Sequence, residues 1–180
     1  MHDVGLVSAS MDSRILLTDI SREKVLHCAS HHKKSVADFV WCKTYSIFAS
    51  CSERTIVLWQ GNTTRKVGDL LGHTTLVTQL AIDEKCAAHA RAGPPTGPPA
   101  ASNGQLRGRP ERRTQHLMSL GSDHLVKIWD LRTNKCLQTI GEEDWARREE
   151  AKPVALLYDG THRRLVTAVN KPYVLSLIHI

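Results

Sequence analysis

Apolar and polar residues alternate along "VADFVWCKTYSIFASCSERTIVLW", residues 36–59, in short runs broken by polar turns. Alternation at a spacing of two puts successive side chains on opposite faces of a strand. The stretch predicts strands over 35–41, 46–50 and 55–59, with a fourth over 66–70 after a polar corner. The same pattern returns without a gap from Val154, in "VALLYDGTHRRLVTAVNKPYVLSL", at an offset of 118. Val77 lies 41 residues after Val36, and Thr18-Asp19 lies 41 residues before Trp59-Gln60. Residues 121–140, "GSDHLVKIWDLRTNKCLQTI", carry the same hairpin: a turn aspartate at Asp123, a run closed by Trp129-Asp130, and a second run. Trp129 stands 70 residues beyond Trp59, an excess of 29 over the period, and residues 86–114 number 29. Removing them restores the rhythm.

A repeat of about 41 residues with four short strands per unit implies an all-β fold of small sheets arranged radially. The sequence resembles the WD40-repeat family over nearly all of its length outside 86–114. Gly72-His73 matches the family's Gly-His, Asp123 its turn aspartate and Trp129-Asp130 its Trp-Asp. The resemblance implies a partial β-propeller of about three and a half four-stranded blades. It also implies a buried chain inside the third unit, from the Trp129 indole to Ser119, from Ser119 to His73, and from His73 to Asp123. Such a His/Ser/Asp set looks like hydrolase machinery, but a serine enclosed in a blade serves a tryptophan and not a substrate. In the second unit the matching positions are His32, Ala49, Glu53 and Trp59, with no hydroxyl, so that chain is expected to be broken. The first unit has Ser8 and Asp12, with Thr18 in the tryptophan place. The fourth has Glu150, Thr167, Lys171 and Leu177, which leaves only the hydroxyl. Cohesion there is assigned to apolar packing by Val36, Phe39, Ile47, Ile56, Leu156 and Leu165.

Composition changes the picture in one place. The formal net charge is +6 over 180 residues, yet 86–114 holds five arginines and one acid and so supplies +4 of it. The remainder is close to balance, so the charge is no nucleic-acid signal and no specific nucleic-acid partner is expected. The segment, "CAAHARAGPPTGPPAASNGQLRGRPERRT", is Gly-, Pro- and Arg-rich with little to pack and is expected to be a disordered insertion in the third unit. Three readings stay open for it: a basic tail for an acidic partner, a proline-rich ligand, or an intrusion of splicing or gene structure. A smaller excess falls in "GEEDWARREEAK", whose Glu/Arg spacing suits a short solvated helix, with Trp145 packing its own loop down.

Five cysteines, Cys28, Cys42, Cys51, Cys86 and Cys136, are odd in number and form no CxxC pair. That suits buried thiols in a reducing compartment. Cys28, His31 and His32 in "CASHH" are metal-capable, but no second cluster accompanies them, so no metal and no cofactor are expected. Phosphate-binding glycine motifs and EF-hand loops are absent from the sequence. No run of about 18 apolar residues occurs, and the start lacks a signal-peptide pattern, so no membrane partner is expected and a cytoplasmic setting is.

The expected organisation is WD40 blades over 1–85, the insertion over 86–114, blades again over 115–174 and a non-native tail over 175–180. Met1 falls inside a second strand, and "LSLIHI" resembles a translated library-adapter sequence. The chain is therefore expected to be part of a larger ring whose remaining blades are its partners. The resemblance implies a non-enzymatic scaffold whose blade rim binds other proteins. Rim candidates flank the Gly-His and turn-acid sites: Met11, Lys33, Lys34, Ser52, Thr74, Thr75, Ser122 and Asn170. "CLQTI" and "YDGTHRRLVTAVNKPYV" are most similar to the cilia-linked WD-repeat proteins numbered forty-nine and sixty-four, which implies a ciliary or axonemal assembly. Two alternatives stand beside it: an adaptor in ubiquitin transfer or RNA processing, and a hydrolase using Ser119 and His73.

Overall fold

Alternating runs become strands, and polar corners become tight turns. A computed structural model describes residues 5–83, 115–141, 152–160, 164–169 and 174–179. The insertion 86–114, the stretch around Trp145, and Glu150, Asn170 and Lys171 lie outside the described residues. The strands are β1 Gly5–Ala9, β2 Ile15–Asp19, β3 Lys24–Ala29, β4 Asp38–Cys42, β5 Ile47–Ser52, β6 Thr55–Gln60 and β7 Lys66–Leu71. They continue as β8 Val77–Ile82, β9 His116–Gly121, β10 Val126–Asp130, β11 Lys135–Ile140, β12 Pro153–Asp159, β13 Arg164–Val169 and β14 Val174–His179. No helix among the described residues is long and apolar enough to cross a membrane.

All neighbouring strands pair antiparallel, in four sheets. Two are complete four-stranded units, β4-β5-β6-β7 and β8-β9-β10-β11; two are three-stranded, β1-β2-β3 and β12-β13-β14. Residues 175–179, expected as a tail, lie in β14 beside β13. Strands β4, β8 and β12 contact one another in that order and form the inner layer.

The turns explain why each hairpin closes where it does. Between the main-chain bonds of Ser10 to Arg14 and of Gly121 to Leu125, the β1–β2 and β9–β10 tips hold three residues, with Ser13 (φ 69°) and His124 (φ 63°) in the left-handed conformation that completes such a loop. The carboxylates of Asp12 and Asp123 accept the amides of Arg14 and Leu125, each at 3.1 Å. At the next corner, Asp19 takes the Ser21 and Arg22 amides at 2.9 and 3.1 Å. Asp130 takes the Arg132 amide and the Thr133 hydroxyl, both at 2.8 Å. The Asp of each Thr-Asp or Trp-Asp pair is thus a corner clamp.

Three apolar cores lie between successive sheets. Ile15 and Ala29 meet Phe48, Val57 and Trp59. Ala49, Cys51, Ile56 and Leu58 meet Val77, Leu80, Leu117 and Trp129. Met118, Leu120, Val126 and Ile128 meet Leu165, with Leu156 partly buried beside them. Of the residues assigned to packing, Ile56 and Leu165 are fully buried, and Val36, Ile47 and Leu156 partly so. Phe39 differs: it is 36% exposed, and among the described residues no inner strand stands on the β1 side of β4.

Side chains of the inner strands lock the sheets together. The Asp38 carboxylate accepts the Leu80 amide at 2.9 Å, and the Gln79 amide oxygen accepts the Leu156 amide at 2.7 Å. Asp38 and Gln79 hold the same register position, opposite Cys51 and Leu120. Buried Gln115 adds a crosslink, its amide reaching Thr44 Oγ1 and Cys42 Sγ of the preceding sheet.

Candidate functional site

Two buried polar chains lie between neighbouring sheets at equivalent positions. In the third unit the Trp129 Nε1–H donates to Ser119 Oγ at 2.8 Å, and Ser119 Oγ lies 2.7 Å from His73 Nε2. An indole N–H can only donate, so the serine accepts it, and the imidazole tautomer sets the direction of the Ser119–His73 bond. Ser119 is fully buried and the His73 and Trp129 rings are 6.1 Å apart. The link from imidazole to Asp123 expected from the resemblance is not made: His73 Nδ1 is buried without a hydrogen-bond partner. The Asp123 carboxylate is instead held by the Leu125 amide and by Thr74 Oγ1 at 3.4 Å, because it closes its own turn. Burial, followed by the charge of Lys127, pushes the His73 pKa down to about 4, and Asp123 only partly opposes this.

The second unit carries an equally closed chain, contrary to expectation. The Trp59 Nε1–H donates to Ser50 Oγ at 2.7 Å, and Ser50 Oγ lies 2.6 Å from His32 Nε2. The hydroxyl belongs to Ser50 and not to the Ala49 position. The β5–β6 tip holds two residues where the other two tips hold three, so counting back from tryptophan overshoots by one. In a strand that error exchanges faces. Ala49 packs toward Leu80 and Trp129, whereas Ser50 shares a face with Phe48 and Trp59. Phe48 stacks on Trp59 at 5.9 Å and His32 meets its edge at 5.8 Å. Burial, then the neighbouring His31, lowers the His32 pKa.

The other partial sites behave differently. Ser8 is exposed, Thr18 is half-buried and Asp12 clamps its turn. Thr167 is fully buried opposite Leu156, the position equivalent to Ser50 and Ser119. Cys42 and Cys51 are buried, and burial raises the Cys51 pKa to about 12; Cys28 and Cys136 are exposed, which corrects the expectation of uniformly buried thiols. Among the described residues no group of three or more His, Cys, Asp or Glu could hold a metal ion. His31 Nε2 lies 2.8 Å from Lys66 Nζ.

The described rim candidates lie in or beside β-hairpin tips and the loops that enter the inner strands. Lys34 Nζ pairs with Glu53 at 3.1 Å, and Thr74 reaches Asp123. Met11 is 86% exposed, and Lys33, Lys34, Thr74 and Ser122 are also exposed. Two candidates are not free. Ser52 is buried and donates to the Lys34 carbonyl at 3.0 Å; Thr75 is half-buried and its Oγ1 accepts the Asp123 amide at 3.3 Å. Sequence reasoning also missed Gly121. A methyl group there would overlap Asp123 Oδ1 and approach His73 Nδ1 and Thr75 Oγ1 at 3.1 Å each. Its place at the end of β9, just before the turn acid, was the available signal.

No protein-family model matches the chain. It is 29% identical over 148 residues to nuclear distribution protein PAC1 of Gibberella zeae, covering 79% of this chain and 28% of that protein. It is 30% identical over 148 residues to nuclear distribution protein PAC1 of Fusarium vanettenii, covering 79% and 29%. The chain therefore spans under a third of the curated relatives it matches. Among solved structures, that of U3-55K matches with a TM-score of 0.66 at 18% identity, over 91% of this chain and 42% of that one. Together with radially neighbouring antiparallel sheets joined through their inner strands, this makes the fold a β-propeller of the WD40 type, present in part.

Proposed function

We propose that this chain is a non-enzymatic WD-repeat scaffold that binds other proteins through the rim formed by its hairpin tips and loops. The observation that carries the reading is the burial of both serines beneath tryptophans. Ser50 and Ser119 have no exposed surface, and each already accepts an indole N–H. A nucleophile needs an open approach and a base oriented by a third group; here the approach is filled and His73 Nδ1 has no carboxylate partner. At the rim, Met11, Lys33, Lys34, Thr74 and Ser122 are exposed.

The narrower form of the proposal is a cytoplasmic scaffold in a ciliary or axonemal assembly, and it rests on the resemblance of residues 136–140 and 158–174 alone. The test is quantitative affinity capture with the wild-type chain and with a Lys33→Glu/Thr74→Lys rim variant, with thermal melting checked in parallel. Specific partners lost from the variant at unchanged melting support the rim. The identity of those partners separates a ciliary scaffold from an adaptor in ubiquitin transfer or RNA processing. Fluorophosphonate labelling that vanishes in Ser119→Ala, with tryptophan emission unchanged, would overturn the non-enzymatic reading.

A further inference from the structure

A polar cleft of about 330 Å³ opens between the loop that leaves β3 and the hairpin β6-β7 of the second sheet. Buried His32 and Val57 line it, together with Lys66, Asp69 and Leu71 of β7. One residue choice leaves room for it. Val57 stands opposite Asp69 in the β6–β7 pair. The equivalent pair in the third unit is Lys127 and Thr139, where the lysine Nζ donates to the hydroxyl at 2.8 Å. There the sheet's own ammonium crosses the position; a valine ends short of it.

The charges around the cleft are matched with one exception. Lys66 Nζ lies 2.7 Å from Asp69 Oδ2 and 2.8 Å from His31 Nε2. An ammonium has three N–H groups and no acceptor, so the imidazole nitrogen accepts and one N–H stays available. Asp69 Oδ1 is buried without a hydrogen-bond partner, which leaves this carboxylate dependent on Lys66 and fixes the ammonium in place. Glu53, also in the lining, pairs with Lys34 at 3.1 Å. Each carboxylate of the cleft thus has its own lysine. Lys33 lines the same space, is exposed and makes no ion pair among the described residues, and the Thr55 hydroxyl makes no hydrogen bond among them.

We propose that this cleft binds the carboxylate of a glutamate or aspartate side chain of a partner protein, held by Lys33, the remaining Lys66 N–H and the Thr55 hydroxyl. Charge selects a carboxylate over a phosphate group. One unmatched ammonium balances a monoanion, whereas a dianion would also lie against Glu53 and Asp69. Leu71, opposite Thr55 and 69% exposed, supplies an apolar surface for a neighbouring residue of the same segment. The inference rests on the rim reading, since Lys33 is a rim candidate, and it names the chemistry of the partner.

The test titrates the full chain with the blocked tripeptide acetyl-Leu-Glu-Leu-amide and follows the ring resonances of His31 and His32. The expected result is saturable movement of both. The His32 pKa is expected to rise with peptide bound: burial, His31 and Lys66 lower it, and an added anion acts the other way. Lys33→Met, at an exposed position, is expected to weaken binding roughly 5-fold, the upper worth of a solvent-exposed ion pair. The glutamine analogue of the tripeptide is expected to leave both resonances in place. Absence of saturable movement at millimolar peptide overturns the proposal, as do equal binding of the glutamine analogue and unchanged affinity in Lys33→Met. Tighter binding of the phosphoserine analogue overturns the choice of a carboxylate. A tripeptide that does not bind, with partners still lost from the Lys33→Glu/Thr74→Lys variant, sinks the cleft and spares the rim. A tripeptide that binds, with partners retained by that variant, sinks the rim reading alone.

Discussion

Trp59 and Ser50 form the same buried contact as Trp129 and Ser119: indole to hydroxyl, at 2.7 Å and 2.8 Å, with an imidazole behind each hydroxyl. Two neighbouring blades therefore share one polar device, although only one displays it at the expected spacing. Ser50→Ala is predicted to leave a buried indole N–H and a buried imidazole unpaired, at a cost of about 1–3 kcal/mol, as Ser119→Ala does. Urea midpoints at unchanged slope measure both. A Ser50→Ala midpoint within error of wild type would remove the second chain from the account.

The strand rhythm made the architecture legible because alternation follows from the pleat, and a blade repeats its pleats at a constant interval. Tip length is not written in alternation. Ser-Glu-Arg-Thr and Gly-Ser-Asp-His-Leu both look like polar turns, yet they differ by one residue between the paired ends, and that residue decides whether Ala49 or Ser50 faces Trp59. The exposure of Phe39 was hidden for a different reason: it depends on whether another element lies over the residue, and a residue pattern shows its own periodicity without showing its neighbours. The Asp38 and Gln79 locks escaped because Asp and Gln share an acceptor oxygen but no visible identity.

The His73 ring should make stability depend on acidity. Its folded pKa, about 4, lies below the ordinary histidine value of 6.5, so the unfolded chain binds the proton more readily. The stabilising neutral form is fully present above pH 6.5, and its contribution is lost as pH falls from there toward 4. Thermal melting of wild type is expected to fall across this window. In His73→Gln the slope should flatten, leaving the smaller share that the lowered pKa of His32 contributes in the same direction. An unchanged slope in the variant would refute the assignment.

Thiol reactivity should divide by burial. Cys28 and Cys136 are exposed and are expected to react with iodoacetamide within minutes at pH 8. Cys42 and Cys51 lie in the core between the two complete blades, and Cys51 stays a thiol to about pH 12. Both are expected to be modified only in denaturant. Mass mapping of native and unfolded samples reads the difference, and native labelling of Cys51 would contradict the packing of that core.

The cross-sheet locks predict a graded response along the inner layer. Asp38→Ala removes the acceptor for the Leu80 amide and also frees the Phe39 amide, so two bonds are lost; Gln79→Ala removes one. The second variant should cost about 1 kcal/mol and the first about twice that, because the acceptor removed from the Leu80 amide is a charged carboxylate, whereas the Phe39 amide sits beside an open cavity and recovers a bond to water. Asp38→Asn keeps an oxygen for one amide and should fall between wild type and Asp38→Ala. Native-state hydrogen exchange locates the effects: Leu80 is expected to exchange faster only in the Asp38 variants, and Leu156 only in Gln79→Ala. Equal acceleration of both amides in either variant would mean that the sheets open as one unit and are not joined lock by lock.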